Sequence, residues 1–384
     1  MRFEVQKPRE YQKQSALTER MPELRSIPRI DLASTPTPFV QHQELGRRIG
    51  YPDLWIKQDN LSSPVYGGNK PRKLEFALAQ VLHRGCRSVV TIGGIGTNHG
   101  LATAIFSQRL SLDCHLVLFE QPVTQHVQTS LRLMHRFGAT LHFAANHPAI
   151  SWRVARLLAP TKLGRTEEPM AFIPGGGTSP VNILGFVDAA FELQGQIEKS
   201  GIRPPSALFC PLGTGGTLAG LVLGFKLCDL PTRVIGVRVV DRVMANAYRV
   251  AFLANRSLRL IKRYCRRVAL PAIRPRDVSI MEGYFAGGYG TVSREAEDAL
   301  ALAGDHGVTL ETTYTAKAFA AVIDYVKKLS PREGPVLFWN TFNSVDHSAQ
   351  AAAVDYRELP RPFHRFFSKS AQTEETVRTR TSAC

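Results

Sequence analysis

The chain has 384 residues, of which 44% are hydrophobic and 21% are charged, and its formal net charge is +16. This composition is typical of a globular protein with a sizeable core and excludes a disordered chain. No stretch has the uninterrupted apolar length of a membrane helix, and the N-terminal region lacks the apolar core of a secretory signal. The six cysteines include no Cys-x-x-Cys pair, which argues against a disulfide framework or a zinc site. We therefore expect a cytoplasmic protein without a metal or a membrane segment.

Taken in chain order, strands and helices alternate after a polar beginning. Residues 1–34 are predicted to be a basic N-terminal extension over the surface. Strands are predicted at 54–57, 88–92, 115–119, 140–143, 207–212, 234–240 and 335–339, and helices at 101–110, 127–137, 182–201 and 294–304. This alternation predicts parallel, doubly wound sheets, in which ligands bind at the carboxyl ends of strands.

One turn places a lysine at the start of a helix: Tyr66-Gly67-Gly68-Asn69-Lys70-Pro71-Arg72-Lys73. The two glycines allow a close approach of the backbone to a ligand, and proline suits the first helical position. An amine beside the positive end of a helix and beside Arg72 and Lys73 is harder to protonate, so more of it is neutral and nucleophilic. Such a lysine can bond covalently to a carbonyl group. The alternative is a surface loop with a solvated lysine.

Two glycine-rich turns follow predicted strands, at 93–100 and 213–220. Backbone amides at the start of a helix form an anion site, and glycines let a phosphate come close. The alternative for the second turn is a tight connection between a strand and a helix.

The run Gly-Gly-Asn-Lys-x-Arg-Lys-Leu-Glu at 67–75 resembles the signature of the D-cysteine desulfhydrase and 1-aminocyclopropane-1-carboxylate deaminase family. These are pyridoxal-phosphate enzymes of the tryptophan-synthase-beta type, or fold type II. Segments at 172–179, 284–290 and 312–318 are also similar to that family. The resemblance implies an α/β fold with two doubly wound, mainly parallel open-sheet domains. The expected parts are a large cofactor domain at 35–74 and 181–365, a small domain at 75–180, and a disordered tail at 366–384.

The resemblance also implies roles for particular residues. The expected catalytic residues are Lys70, Thr97, Tyr289 and Tyr314. The expected ligands of pyridoxal 5'-phosphate are Lys70, Asn69, Asn98, Gly213, Thr214, Gly215, Gly216, Thr217, Thr315 and Thr341. A helix cap is the alternative role for Thr97, and a buried, satisfied hydroxyl is the alternative for each tyrosine.

Thr315 and Thr341 are the candidate partners of the cofactor's pyridine nitrogen. The deaminase branch of the family has a glutamate at the first of these positions. A neutral hydroxyl would not keep that nitrogen protonated, so the resemblance favours elimination over cyclopropane ring opening. The implied function is a lyase or deaminase that converts a small, D-cysteine-like amino acid into a 2-oxo acid and ammonia, in a homodimer.

The substrate motifs depart from the family. Thr341-Phe342-Asn343 stands where the family has Thr-Gly-Gly, and Gly96 stands where it has glutamine. These changes leave the substrate open. β-Replacement or racemisation of an amino acid on the same cofactor are therefore alternatives.

A basic run near the middle of the second half consists of Arg256, Arg259, Lys262, Arg263, Arg266, Arg267, Arg274 and Arg276. Apolar residues at helical spacing interrupt it, which predicts a solvated amphipathic helix. Attraction of an anionic substrate or a polyanion is the alternative. Nucleic-acid binding is not expected, since no nucleic-acid-binding motif accompanies the run. A pyridoxal-phosphate-binding protein that acts through this basic surface without catalysis is the alternative function of another class.

Overall fold

The computed structural model describes residues 14–330 and 333–368. Its helices are α1 (Ala16–Arg20), α2 (Gln43–Arg48), α3 (Lys70–His83), α4 (Asn98–Arg109), α5 (Gln125–Arg136), α6 (His147–Lys162), α7 (Leu184–Ser200), α8 (Gly216–Leu227), α9 (Ala247–Tyr264), α10 (Arg294–Asp305), α11 (Thr315–Val326), α12 (Ser348–Ala352) and α13 (Arg365–Ser368). Its strands are β1 (Phe39–Gln41), β2 (Leu54–Gln58), β3 (Ser88–Gly94), β4 (Asp113–Phe119), β5 (Thr140–Phe143), β6 (Met170–Ile173), β7 (Ala207–Leu212), β8 (Arg233–Arg238), β9 (Ser279–Met281) and β10 (Val336–Asn340). Within the described ranges, no helix is both long and apolar enough to cross a membrane.

The chain folds into two compact units. The larger contains the described residues of 14–76 and 178–344, and the smaller contains those of 77–177 and 345–368. The sequence predicts that residues 345–365 belong to the large domain and that a disordered tail begins at 366. In the structure, residues 345–368 pack in the smaller unit instead. Gln128 Nε2 donates to the Phe366 carbonyl at 2.8 Å, and Phe363 contacts Phe143 edge-on. The rest of the predicted tail, 369–384, lies outside the described residues.

The larger unit is built on a six-stranded sheet in the order β1-β2-β10-β7-β8-β9. Strand β1 runs antiparallel to β2, and the other neighbours are parallel. Side chains of β10 alternate between the two faces: Leu337 and Trp339 pack in one core cluster, and Val336 and Phe338 pack in the other. Helices therefore cover both faces, as expected for a doubly wound sheet.

The smaller unit has a four-stranded, fully parallel sheet in the order β5-β4-β3-β6. Val90 and Val117 on its strands pack with Ile150 and Leu158 of α6. The predicted α/β class with mainly parallel sheets is thus confirmed in both units. Loops at the carboxyl ends of β3 and β7 are the two glycine-rich turns.

The N-terminal segment is part of the core, so the predicted surface extension is wrong for residues 14–34. Leu17, Met21 and Leu24 are buried among the residues of α7 and α8. Their spacing of four and three residues places them on one face of two short helical turns. The apolar residues were too few for a strong helical signal in a polar stretch, but each fills a site in the core.

The first half of the basic run, through Arg263, forms an amphipathic helix as predicted, whereas Arg266, Arg267, Arg274 and Arg276 follow the end of that helix. Helix α9 buries Val250, Leu258 and Ile261, while Arg256 and Arg259 are exposed on its outer face.

A network of buried charges fixes the first turn of α3. Arg72 donates to both oxygens of Asp59, at 2.9 and 3.0 Å, and to both oxygens of Glu192, at 2.9 and 3.0 Å. Lys57 also pairs with Glu192, and Arg29 pairs with Glu75 one turn further along α3. Burial opposes ionisation of Glu192, yet Arg72 and Lys57 lower its pKa to about 2. The network is therefore charged at neutral pH.

We predict that Arg72→Met destabilises the fold by about 3–5 kcal/mol, because it leaves Asp59 and Glu192 buried without their common partner. Urea unfolding followed by fluorescence measures the loss. Arg20→Met is the control, since Arg20 and Glu198 form an exposed pair at 3.7 Å and such pairs contribute less than about 1 kcal/mol. Equal losses in the two variants would contradict the prediction.

Candidate active site in the larger unit

The turn before Lys70 is held by residues that directly follow β10. Gly67 N donates to Asn343 Oδ1 at 2.7 Å, and Asn69 N donates to the Thr341 carbonyl at 3.2 Å. Gly68 has a φ of 82°, and a Cβ there would collide with the Thr341 carbonyl. Only glycine satisfies both the conformation and the close contact. The predicted glycine pair therefore allows the lysine turn to pack directly against Thr341.

Asn69 connects Lys70 to the second glycine-rich turn. Lys70 Nζ donates to Asn69 Oδ1 at 2.6 Å, and Asn69 Nδ2 donates to Thr217 Oγ1 at 3.1 Å. Thr217 is the second residue of α8. The amine of Lys70 is thus two hydrogen bonds from the start of that helix.

The amine of Lys70 is easier to deprotonate than that of a solvated lysine. Burial lowers the pKa of Lys70 to about 8, and the charge of Glu311 opposes this shift. The direction of this pKa shift agrees with the prediction from the sequence, but its main cause is desolvation. The charge of Arg72 is balanced by Asp59 and Glu192, so it does not act freely on Lys70. At neutral pH a larger fraction of this amine is neutral than of a solvated lysine.

The second glycine-rich turn has the features of a phosphate site. Gly215 precedes α8 with a φ of 88°, and no side chain caps the helix within the described residues. A Cβ on Gly216 would lie 2.9 Å from Thr178 Oγ1 and 3.3 Å from Lys73 Nζ. Backbone amides, hydroxyls and an amine therefore converge on one glycine, which suits a phosphate.

Two tyrosines lie beside this turn. The hydroxyls of Tyr289 and Tyr314 share a hydrogen bond, and a Cβ on Gly213 would lie 3.5 Å from the Tyr314 ring. Burial raises the pKa of both phenols above its ordinary value. Both hydroxyls consequently keep their protons across the physiological pH range and can donate hydrogen bonds.

Glu311 is a site residue that the sequence analysis missed. Its carboxylate accepts hydrogen bonds from the backbone amides of Thr313, Tyr314 and Thr315 at 2.7–3.2 Å. Thr315 Oγ1 also donates to Glu311 Oε1 at 3.0 Å. The carboxylate thereby orients the start of α11, which carries Tyr314 and Thr315. An acidic residue just before a helix was the available signal.

Two predicted site residues belong to the smaller unit. Thr97 precedes α4 and its Oγ1 accepts from Gly100 N at 3.2 Å, so it caps the helix, while Asn98 is the first residue of α4. His99 is buried, and its Nε2 lies 3.1 Å from Thr91 Oγ1. The other predicted residues, including Thr341, lie in the larger unit.

Fold and site together define a class of enzyme. A lysine of lowered pKa, linked through Asn69 to an uncapped, glycine-rich helix start, suits a cofactor that carries both a carbonyl group and a phosphate.

Comparison with known proteins agrees with this class. Residues 30–341 match the family described as pyridoxal-phosphate dependent enzyme. The chain is 33% identical over 322 residues to a putative 1-aminocyclopropane-1-carboxylate deaminase of Pyrococcus abyssi, covering 83% of this chain and 92% of that protein. It is 30% identical over 325 residues to a D-cysteine desulfhydrase of Serratia proteamaculans, covering 83% and 94%. A crystal structure of an ACC deaminase homologue superposes with a TM-score of 0.72 at 28% identity, covering 85% of this chain and 94% of that one.

The chain belongs to the family of pyridoxal-phosphate-dependent enzymes. The resemblance to the D-cysteine desulfhydrase and deaminase group is confirmed, and so is the expected cofactor.

We predict that Glu311→Gln lowers the pKa of Lys70 further below about 8, because the charge of Glu311 raises that pKa. The test is the pH dependence of Lys70 acetylation in cofactor-free protein, read by peptide mass spectrometry. Reaction of the variant should reach half its maximal rate at a lower pH than reaction of the parent. Glu44→Gln, an exposed substitution on α2, should leave the midpoint unchanged. An unchanged midpoint in Glu311→Gln would show that the carboxylate does not act on this amine.

Proposed function

We propose that the protein is a pyridoxal-phosphate-dependent lyase that converts a small, D-cysteine-like amino acid into a 2-oxo acid and ammonia by α,β-elimination. The observation that carries the proposal is the hydrogen-bonded link from Lys70 Nζ through Asn69 to Thr217. It joins the reactive amine to the phosphate turn. The relatives named above support the reaction class.

The chain's own groups fit each part of the cofactor. Gly213, Thr214, Gly215, Gly216 and Thr217 would hold the phosphate. Lys73, whose Nζ lies beside Gly216, would add a positive charge there. Burial, and next the charge of Lys70, lower the pKa of Lys73; a bound phosphate would oppose that shift by stabilising the ammonium.

Bound pyridoxal phosphate supplies an electron sink for negative charge at the substrate's Cα. Lys70 is the residue that we assign to move the Cα proton. With a pKa of about 8, its amine accepts a proton more readily at neutral pH than an ordinary lysine does, because more of it is unprotonated. The fraction of neutral amine increases as the pH rises towards 8. Activity limited by this amine should therefore increase over the same range.

Tyr289 and Tyr314 are assigned as proton donors and positioning groups. Their raised pKa values keep both phenols protonated, so one of them can hydrogen-bond to a departing thiolate. The shared hydrogen bond couples the two hydroxyls. A proton lost from one is readily replaced from the other.

Thr315 and Thr341 remain the proposed partners of the pyridine nitrogen. Thr315 Oγ1 is engaged by Glu311, which makes Thr341 the less constrained of the two hydroxyls. Neither carries a charge, so elimination is favoured over ring opening. Asn98 is proposed to bind the cofactor's phenolic oxygen and Thr97 to contact the substrate. A cytoplasmic location and a homodimer are part of the proposal and rest on cysteine usage and on the family resemblance.

We predict that the purified protein shows a visible absorbance band with pyridoxal phosphate and that borohydride fixes the cofactor to the peptide containing Lys70. Lys70→Ala should lose both, because the covalent attachment point is gone. Lys317→Ala is a demanding control, since burial also lowers the pKa of Lys317 to about 8. Its loss should leave the labelled peptide unchanged. Labelling at Lys317 in the parent would contradict the assignment.

We further predict that D- or L-cysteine yields sulfide, ammonia and a 2-oxo acid in equal amounts, whereas 1-aminocyclopropane-1-carboxylate is not opened. An added thiol distinguishes β-replacement, which would produce a new thioether. Circular dichroism of alanine detects racemisation. Retained cofactor without turnover of any of these compounds would reject the lyase assignment and favour the non-catalytic alternative.

A further inference from the structure

One arginine of helix α9 contacts the glycine-rich turn that follows β7. Arg249 Nε donates to the Thr214 carbonyl at 3.2 Å, and within the described ranges this carbonyl is the one hydrogen-bond acceptor of the arginine side chain. Strands β7 and β8 are parallel neighbours, so the segments that follow them leave the sheet at the same edge. Thr214 follows the first of these strands and Arg249 follows the second. The topology of the larger unit therefore brings the two residues together.

Arg249 lies in the first turn of α9, where Asn246 fixes its backbone. The Asn246 side chain caps the helix by accepting from Arg249 N at 2.9 Å. A positive charge in the first turn is opposed by the partial charge at that end of the helix, so helix stability does not explain an arginine at this position. The same helix also packs on the turn, since a Cβ on Gly215 would lie 3.5 Å from Val250 and from Leu253.

The bond to the Thr214 carbonyl determines where the next N–H points. The peptide between Thr214 and Gly215 is trans, and the C=O and N–H of a trans peptide point in opposite directions. Because Arg249 holds the carbonyl, the N–H of Gly215 points away from Arg249. No group of the described residues accepts a hydrogen bond from this N–H. It is therefore available to a ligand in the turn.

This peptide needs support because a glycine follows it. Gly215 has a φ of 88°, and without a Cβ it restricts rotation of the preceding peptide less than another residue would. Rotation would present the Thr214 carbonyl oxygen to the turn in place of the N–H, and an oxygen lone pair repels an anion. The side chain of Thr214 is held separately, since its Oγ1 lies 2.8 Å from Thr178 Oγ1. Arg249 is the residue that holds the carbonyl.

We propose that Arg249 is a positioning residue for the cofactor's phosphate. By binding the Thr214 carbonyl, it directs the N–H of Gly215 towards the phosphate oxygens without contacting them itself. The inference deepens the proposed function and rests on it, because it assumes that the phosphate lies in this turn. It also distinguishes Arg249 from Arg256 and Arg259 of the same helix, which are exposed.

Two substitutions of equal length separate the hydrogen bond from the charge. In Arg249→Gln, Nε2 is as many bonds from Cα as the arginine Nε, so a neutral donor remains available to the Thr214 carbonyl. Arg249→Met places a methyl group at the same position and removes the donor. Neither variant carries a charge. A difference between them therefore reports the hydrogen bond alone.

The full-length chain is titrated with pyridoxal 5'-phosphate and with pyridoxal, which has the same carbonyl group but no phosphate. The visible absorbance gives the dissociation constant of each ligand. We expect Arg249→Met to weaken pyridoxal 5'-phosphate binding about tenfold, in line with the loss of a hydrogen bond that involves a charged group. Arg249→Gln should stay within about threefold of the parent, since a neutral donor is weaker than a guanidinium but keeps the peptide in place. Pyridoxal binding should change by less than about twofold in both variants.

Arg256→Met, on the exposed face of α9, is the matched control and should bind both ligands like the parent. Equal losses of pyridoxal 5'-phosphate affinity in Arg249→Gln and Arg249→Met would assign the effect to charge and overturn the proposal. Equal losses for the two ligands in Arg249→Met would do the same, because they would indicate general damage to the fold. A parent that binds pyridoxal as tightly as pyridoxal 5'-phosphate would overturn the phosphate assignment in the proposed function as well.

Discussion

The lysine site depends on a charge network that is buried within the larger unit. Arg72 lies between Asp59 and Glu192 with its side chain fully excluded from solvent. Charges removed from water in this way stabilise one another only in precise geometry. Since Arg72 follows Lys70 by two residues, that geometry also determines where the first turn of α3 lies. Pairing of Glu75 with Arg29 repeats the constraint one turn later.

Because the lysine turn is rigid, burial shifts the pKa values of the site's side chains in directions that suit catalysis. Desolvation lowers the pKa of Lys70 and raises the pKa values of Tyr289 and Tyr314. The same cause therefore favours a neutral amine and protonated phenols, which is the division into base and acid that an elimination requires. Glu311 limits the shift of the amine and orients the helix that carries Tyr314. The carboxylate of Glu311 therefore acts both on Lys70 and on the start of α11, which lie far apart in the sequence.

The accuracy of the sequence predictions followed the strength of the local signal. Strands β5 and β7 have the predicted bounds, because each is a continuous run that turn residues terminate. Strands β1 and β9 have three residues each and were missed, since so short a run shows no period. Glu311 was missed for another reason. Its position before α11 was visible in the sequence, but its action on Lys70 depends on a distance that only the folded chain sets.

The sequence by itself determined the class of fold and the cofactor. Alternating strands and helices predict parallel sheets, and the run from Gly67 to Glu75 identified the cofactor through its resemblance to a known family. The tertiary structure decided the electrostatics and the supporting contacts. It made burial, rather than Arg72, the cause of the lowered pKa of Lys70, and it placed Glu311 close enough to oppose that shift. The physical reason is that desolvation and hydrogen bonding depend on distances in space, which a one-dimensional pattern does not contain.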